Sequence, residues 1–451
     1  MPKVLIVGAG LVGSLLASFM ARRGYEVEVF EKRRDPRLYG MEEGRSINLA
    51  LSHRGLRALE RLGLQDAVFP LMIPMRGRMI HDTEGHTLLL PYSTKPHEYI
   101  NSISRLELNV ALVNHAEAYP NVNIHFGTAC VGVDWECPAV EVEANGQRQR
   151  IEGDVLFAAD GAGSVVRRAL KSAGLLQEEV DFLDYGYKEL TLPAGKDGAF
   201  LIEKHALHIW PRETFMFIAL PNLDATFTCT LFLPKEGPGY SFEQLSTAEK
   251  VRAFFDTCFP DVPPLMPRLT EEYFRNPVGV LGTVRCYPWA YKGKVLLIGD
   301  AAHAIVPFYG QGMNAAFEDC LRLEEHLDAC RGDWQKAFDA YQASRKKDTD
   351  AIADLAIDNF YEMRDRVNDE DFQRMRKLEY RLEQHYPDYF SKYALVTFHP
   401  EIPYYVAKQR GELQNKILLD ICRQQNDPES IDLEAVYRKV QEAIEKLPVL
   451  S

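Results

Sequence analysis

The chain has 451 residues, of which 46% are hydrophobic and 26% charged, an ordinary globular composition long enough for two or three domains. Its formal net charge of −13 argues against the basic face on which nucleic-acid binding depends, so no nucleic-acid partner is expected. No apolar run reaches the roughly 18 residues of a membrane span, no signal peptide opens the chain, and the eight cysteines form no CxxC pair, so the expectation is a cytoplasmic protein with reduced thiols and no metal.

Residues 3–32 read KVLIVGAGLVGSLLASFMARRGYEVEVFEK. Residues 4–7 predict a buried strand, 15–23 a helix stopped by Gly24, and 26–30 an alternating second strand closed by Glu31. Gly8, Gly10 and Gly13 form GxGxxG between strand and helix. Gly8 permits a tight turn, Gly10 lets a pyrophosphate approach the backbone, and Gly13 lets the helix pack close to the strand, with the positive end of the helix facing the phosphates. Glu31 suits an unphosphorylated ribose hydroxyl. The motif serves NAD and FAD alike.

Further along, 78–81, 87–90, 214–220 and 226–232 predict strands, the last alternating with period two. Residues 155–168 give another strand ending in Asp160-Gly161 before a helix, which is either a cofactor element or an ordinary helix start capped by Ser164. A third strand, 295–298, runs into GDAAHAIVPFYGQGMN, residues 299–314. A nicotinamide dinucleotide needs no second glycine-rich turn so far from the first, whereas FAD carries a ribityl chain and a ring that must also be held. Asp300 is placed to take a ribityl hydroxyl. Gly310, Gln311 and Gly312 can bring N–H groups against the ring, and a helix starting near Met313-Asn314 points its positive end at the ring edge that becomes negative on reduction. From 331 onward the pattern is helical.

In this order, GxGxxG with Glu31, ADGAGSVVR and GDAAHAIVPFYGQGMNAAFED resemble the aromatic-hydroxylase group of FAD-dependent monooxygenases. The resemblance implies an α/β fold: an FAD-binding Rossmann-like lobe (1–70, 101–175 and 280–330) interleaved with a mixed or antiparallel sheet lobe for substrate (71–100 and 176–279), then a helical region (331–451). The stretches GRSINLALSHRG (44–55), RGRMIHD (76–82), LPYSTK (90–95), SISR (102–105), LHIWPRETFMFIALPN (207–222) and VPFYGQGMNAAFEDC (306–320) are similar to the kynurenine 3-monooxygenase family. That similarity covers most of the chain from 3 to about 410.

Membership would imply hydroxylation of L-kynurenine to 3-hydroxykynurenine with FAD, NADPH and O2. No catalytic side chain is implied, because the flavin does the chemistry; Pro307, Phe308 and Gln311 would lie near its edge. The resemblance assigns Arg78, Tyr92, Asn368 and Tyr404 to the substrate. Plainer readings stand beside these: a solvated strand arginine, a turn tyrosine, a helix cap, and a core tyrosine whose neighbour Tyr405 blurs the spacing. On the flavin side it assigns Val12, Phe30, Glu31, Lys32, Arg33, Ala50, Arg105, Cys130, Asp300, Met313 and Asn314, beside the Gly8, Gly10, Gly13, Asp160 and Gly312 read from the motifs. His303 reads as structural rather than as a base. The hydrophobic C-terminal segment of eukaryotic members is not found here, so a soluble, bacterial-type enzyme is expected. The alternatives are hydroxylation of another aromatic acid and a flavin-free binding protein of Rossmann shape.

Overall fold

Val4, Leu5 and Ile6 have no exposed surface, as a parallel strand covered on both faces requires. In the computed structural model, which describes residues 2–39, 48–365, 369–425 and 427–447, this strand (Lys3–Val7) lies inside a six-stranded sheet. The order is Ala290–Tyr291, Val295–Leu297, Val155–Ala158, Lys3–Val7, Glu26–Glu31, Val122–Phe126. Every pair is parallel except the short antiparallel edge at Ala290–Tyr291. The chain forms two compact units, the first comprising Met1–Met72, Ile103–Leu183 and Leu281–Ala353, and the second Ile73–Ser102, Asp184–Val280 and Asp354–Ser451.

The first unit holds the parallel sheet. The helix after its first strand runs Leu11–Arg22, starting four residues before the expected Leu15. It opens directly at its N-cap Gly10 and carries Gly13 inside its first turn, because the glycine there serves close packing and not a break. A smaller antiparallel sheet, Ala129–Asp134, Ala139–Ala144 and Gln147–Glu152, belongs to the same unit. Its second hairpin turns on Asn145-Gly146, both at positive φ (53° and 75°), the backbone that a two-residue primed turn needs. Phe157 is fully buried, edge-on to Trp334 and Phe338 at 5.9 and 5.7 Å.

In the second unit, Phe227–Pro234, Phe215–Pro221, Ala206–Arg212, Gly77–His81 and Thr87–Pro91 are successive neighbours in one sheet. Of the pairs among these strands, only Gly77–His81 with Ala206–Arg212 is parallel and the rest are antiparallel. One face buries Trp210, Phe217, Phe227 and Leu231 against Val251, Phe254, Phe255 and Phe259. Four of the latter lie on or beside the Ala248–Cys258 helix, which is capped by the Thr247 hydroxyl accepting from the Lys250 N–H. The expected helical C-terminal region is present as Glu370–His385, Lys392–Thr397, Tyr404–Gln424 and Leu433–Glu445. Met375, Leu378, Leu382, Leu418, Val436 and Val440 form its core.

Among the described residues no helix is long and apolar enough to cross a membrane and no cluster could hold a metal. The eight cysteines are all free.

Phe157→Ala should destabilise the first unit by about 3–5 kcal/mol. Urea unfolding followed by circular dichroism would show a lowered midpoint; a midpoint equal to the parent's would mean this aromatic cluster does not carry the core.

Candidate flavin site and a cationic anchor

Three of the parallel strands, Val295–Leu297, Val155–Ala158 and Lys3–Val7, are immediate neighbours, so the motifs that follow them share one edge of the sheet. Contacts between backbones confirm the convergence. A Cβ on Gly8 would lie 2.6 Å from the Ala159 carbonyl oxygen, and one on Gly13 only 1.8 Å from the Gly8 carbonyl oxygen. Gly299, at φ +62°, touches Val12 so closely that a Cβ would come within 3.0 Å of it. Arg167, 4% exposed, ties the second motif to the third: its Nη1 donates to the Ala301 carbonyl at 2.8 Å and its Nε pairs with Glu178 at 2.6 Å. Asp160 and Gly161 therefore stand beside both glycine turns. Ligands bind at this position in open α/β sheets, outside the carboxyl ends of the strands.

The free groups at this edge fit a dinucleotide. The Leu11–Arg22 helix has neither a side-chain cap nor an acid in its first turn, leaving its N–H donors for a ligand. A Cβ on Gly10 would meet only the Arg33 Nη2, at 3.9 Å, and one on Gly161 or Gly163 would meet nothing within 4 Å. Asp160 Oδ2 accepts from the Val165 N–H at 2.7 Å, while its Oδ1 is buried with no hydrogen-bond partner; burial pushes this carboxyl above the ordinary range. Glu31 accepts from the Ala9 N–H (2.9 Å) and is gripped by Arg33 Nε (2.8 Å). Burial works against its charge, and Arg33 holds it below the usual carboxylate range all the same. Phe30 is buried and stacks on His125; Lys32 and Arg105 are exposed.

The second end of the site is built by locking two loops. Asn314 Nδ2 donates to the Ala50 and Gly310 carbonyls (2.8 and 2.9 Å), and its Oδ1 accepts from the Ser52 N–H (2.9 Å). Gly55 makes room for this amide, since a Cβ there would lie 2.6 Å from Asn314 Oδ1. The side chain of Asn314 is thus turned to the chain, which leaves its backbone for a ligand. The helix after the loop runs Gly312–Ala329, one residue earlier than expected, again without a side-chain cap. Pro307 is exposed, whereas Phe308, Tyr309 and Gln311 are buried. Met313 is half-buried, and so is Asp300, whose carboxylate makes no hydrogen bond or ion pair among the described residues. Cys130 is a neutral thiol: burial, with Asp160 adding to it, pushes it up to about 12, so it is no nucleophile.

In the second unit, Arg78 lies half-buried on the Gly77–His81 strand. Its guanidinium carbon is 5.6 Å from the Tyr92 ring centre and 4.8 Å from that of Tyr393. The two rings stack at 5.1 Å with 12° between planes. Tyr92 is 7% exposed; burial raises its hydroxyl well above the usual phenol value. Tyr393 escaped the sequence reading, because nothing in SKYALVTF signals a partner so far back in the chain. Tyr404 is fully buried at the start of its helix and Tyr405 half-buried. Asn368 lies outside the described residues.

Asp300→Ala removes a carboxylate that makes no hydrogen bond or ion pair among the described residues, so the purified variant should retain markedly less flavin. Flavin content per chain measures this, and a fully yellow variant would strike Asp300 from the site.

The FAD binding domain family matches residues 1–356. The chain is 46% identical over 433 residues to a curated kynurenine 3-monooxygenase of Myxococcus xanthus, covering 95% of this chain and 93% of that one. It is 44% identical to those of Xanthomonas axonopodis pv. citri (98% and 97% covered) and Legionella pneumophila (94% of each). Among solved structures, 2-methyl-3-hydroxypyridine-5-carboxylic acid oxygenase superposes with a TM-score of 0.66 at 22% identity, over 81% of this chain and 93% of that one. P. aeruginosa PqsL in complex with 2-aminobenzoylacetate gives 0.67 at 22%, over 81% and 97%. At that identity these two show the fold alone. The strand-end convergence, the matched family and the near full-length relatives together place this chain in the kynurenine 3-monooxygenase family of FAD-dependent aromatic hydroxylases.

Proposed function

We propose that the chain hydroxylates L-kynurenine at the ring carbon beside its aromatic amine, giving 3-hydroxykynurenine, with FAD bound and NADPH and O2 consumed. The observation that carries the substrate assignment is Arg78 seated against Tyr92 and Tyr393. A guanidinium beside two rings, half out of water, is a strong receptor for the carboxylate of an aromatic amino acid.

Bound FAD supplies hydride acceptance from NADPH and activation of oxygen. The chain supplies binding and orientation. Gly8, Gly10 and Gly13 with the Leu11–Arg22 helix would hold the pyrophosphate, Glu31 and Arg33 the ribose, and Asp300 a ribityl hydroxyl. The N–H groups of the Gly310–Gly312 stretch and the helix behind it would face the ring, with Met313 and Asn314 contributing backbone. Arg78 would grip the substrate carboxylate, and the buried Tyr92 hydroxyl beside it would donate to it. Tyr404 and Asn368 remain in the proposed substrate set. The amine already makes the ring electron-rich, so no protein nucleophile or strong base is required. Phe308 and Tyr309, both buried, suit the exclusion of water that such oxygen chemistry needs. A cytoplasmic location suits the eight free cysteines.

NADPH consumption by the purified holoenzyme should rise on adding L-kynurenine and not on adding a hydroxybenzoate. The product should be heavier by one oxygen. Consumption indifferent to kynurenine, or stimulated with no hydroxylated product, would refute the assignment. Arg78→Ala should raise the kynurenine KM about 10- to 150-fold, the loss of one charge-assisted contact of about 1.5–3 kcal/mol, with flavin content unchanged. A KM equal to the parent's would remove Arg78 from the site.

A further inference from the structure

Residues 92–98 and 390–399, both in the second unit, meet through a row of side chains. Tyr92 stacks on Tyr393. Thr94 Oγ1 donates to the Glu383 carbonyl at 3.4 Å. Lys95 Nζ lies 3.8 Å from the centre of the Phe390 ring, and His399 Nε2 lies 3.4 Å from Glu98 Oε1. Phe390 and His399 stand just outside the two ends of the Lys392–Thr397 helix, and their rings meet at 3.9 Å between centroids. The helix that presents Tyr393 to Arg78, at 4.8 Å, is therefore tied to the Tyr92 segment at both ends and in between.

The His399–Glu98 pair is the ionic member of this row. Glu98 is buried and His399 half-buried. His399 Nε2 faces Glu98, and its Nδ1 lies 2.8 Å from Glu401 Oε1. An ionised carboxylate can only accept, so both ring nitrogens carry hydrogen when the two pairs are made. Burial works against charge on this imidazole, and the bonds to Glu98 and Glu401 outweigh it and raise His399 above the ordinary histidine value. Burial likewise opposes charge on Glu98, and His399, Ser93 and Lys95 hold it below the usual carboxylate range all the same. A second cation, Lys95, stands 3.7 Å from the same Glu98 oxygen. Lys95 belongs to the Tyr92 segment itself. Glu98 thus keeps a partner when His399 is neutral, and what is lost is the ionic tie between the two segments.

We infer that His399 is a positioning residue for the substrate anchor: as an imidazolium paired with Glu98, it holds the Lys392–Thr397 helix on the Tyr92 segment and keeps Tyr393 stacked on Tyr92 beside the Arg78 guanidinium. The inference rests on the reading of Arg78 and Tyr92 as the carboxylate anchor. The tie is complete at low pH and is lost as pH rises through the titration of His399.

Calorimetric titration of the holoenzyme with L-kynurenine at about pH 6 and about pH 9, which bracket a raised histidine, reads this tie. Each variant is compared with the parent at the same pH, so that titration of the substrate's own amine cancels. His399→Gln cannot carry the charge. Its Kd should be about 5-fold weaker than the parent's at the lower pH, the upper end of what a part-exposed ion pair contributes, and equal to it at the higher pH. Glu98→Gln removes the partner and leaves the imidazole, and it should give the same pattern; it decides the matter if His399→Gln does not fold. Loss of packing alone would give the same ratio at both pH values. A ratio to the parent that does not fall between the two pH values, whether about 5 or about 1, would overturn the inference. Arg78→Ala is titrated alongside. If its Kd equals the parent's, the anchor reading fails and takes the inference with it; if its Kd rises while the His399→Gln ratio stays flat, only the role of His399 fails.

Discussion

Steric exclusion at three glycines governs the first unit. Gly13 packs on the Gly8 carbonyl with no space for a Cβ, Gly8 on the Ala159 carbonyl, and Gly299 on Val12. These contacts draw three distant strand ends to one sheet edge. They also leave the Leu11–Arg22 and Gly312–Ala329 helices opening there with no side-chain caps. The edge consequently presents N–H donors, the Asp300 carboxylate and a bare oxygen of Asp160 rather than a packed surface. Such groups are costly unless something binds them, which is why a dinucleotide site is the economical reading of the geometry.

Behind that edge lies a fully buried ionic cluster that fixes the Gly299-Asp300 turn. Asp319 accepts from the Gly299 N–H (3.2 Å), His303 Nε2 (2.5 Å) and Arg345 Nε (2.8 Å). Burial opposes its charge, and His303 and Arg345 outweigh it to hold the carboxyl low. Arg345, 1% exposed, also reaches Glu318, Asp348 and the Ala315 carbonyl. Removing one member of such a cluster leaves its partner charged and buried, a cost of about 3–5 kcal/mol. Asp319, the last residue of the motif, thus supports the Gly299-Asp300 turn from behind, and His303 has a structural partner rather than a free base's surroundings.

The α/β fold and the flavin-binding family were legible because their signals are local. A glycine at a fixed offset from a strand end has a physical task that no other residue can perform, and three such strand ends in one chain leave little else to build. Element starts were less legible: the first helix begins at Leu11 and not Leu15, since a glycine in a first turn reads as a break when it is a packing contact. Through-space partners were not legible at all. Tyr393 meets Arg78 and Tyr92 from the Lys392–Thr397 helix, and Arg167 reaches Ala301 across the sheet edge. His81 and Asp261, 180 residues apart, meet directly at 2.8 Å, with Trp210 Nε1 donating to the same carboxylate. Asn314 was visible as a motif residue, but its amide turns to Ala50, Gly310 and Ser52, a direction that spacing alone does not encode.

The central claim is that three glycine-bearing strand ends hold one flavin. It is tested most directly by the visible spectrum of the purified chain and the amount of FAD released on denaturation. One equivalent of FAD per chain is the predicted result. A colourless protein that takes up no FAD when it is supplied would contradict the account.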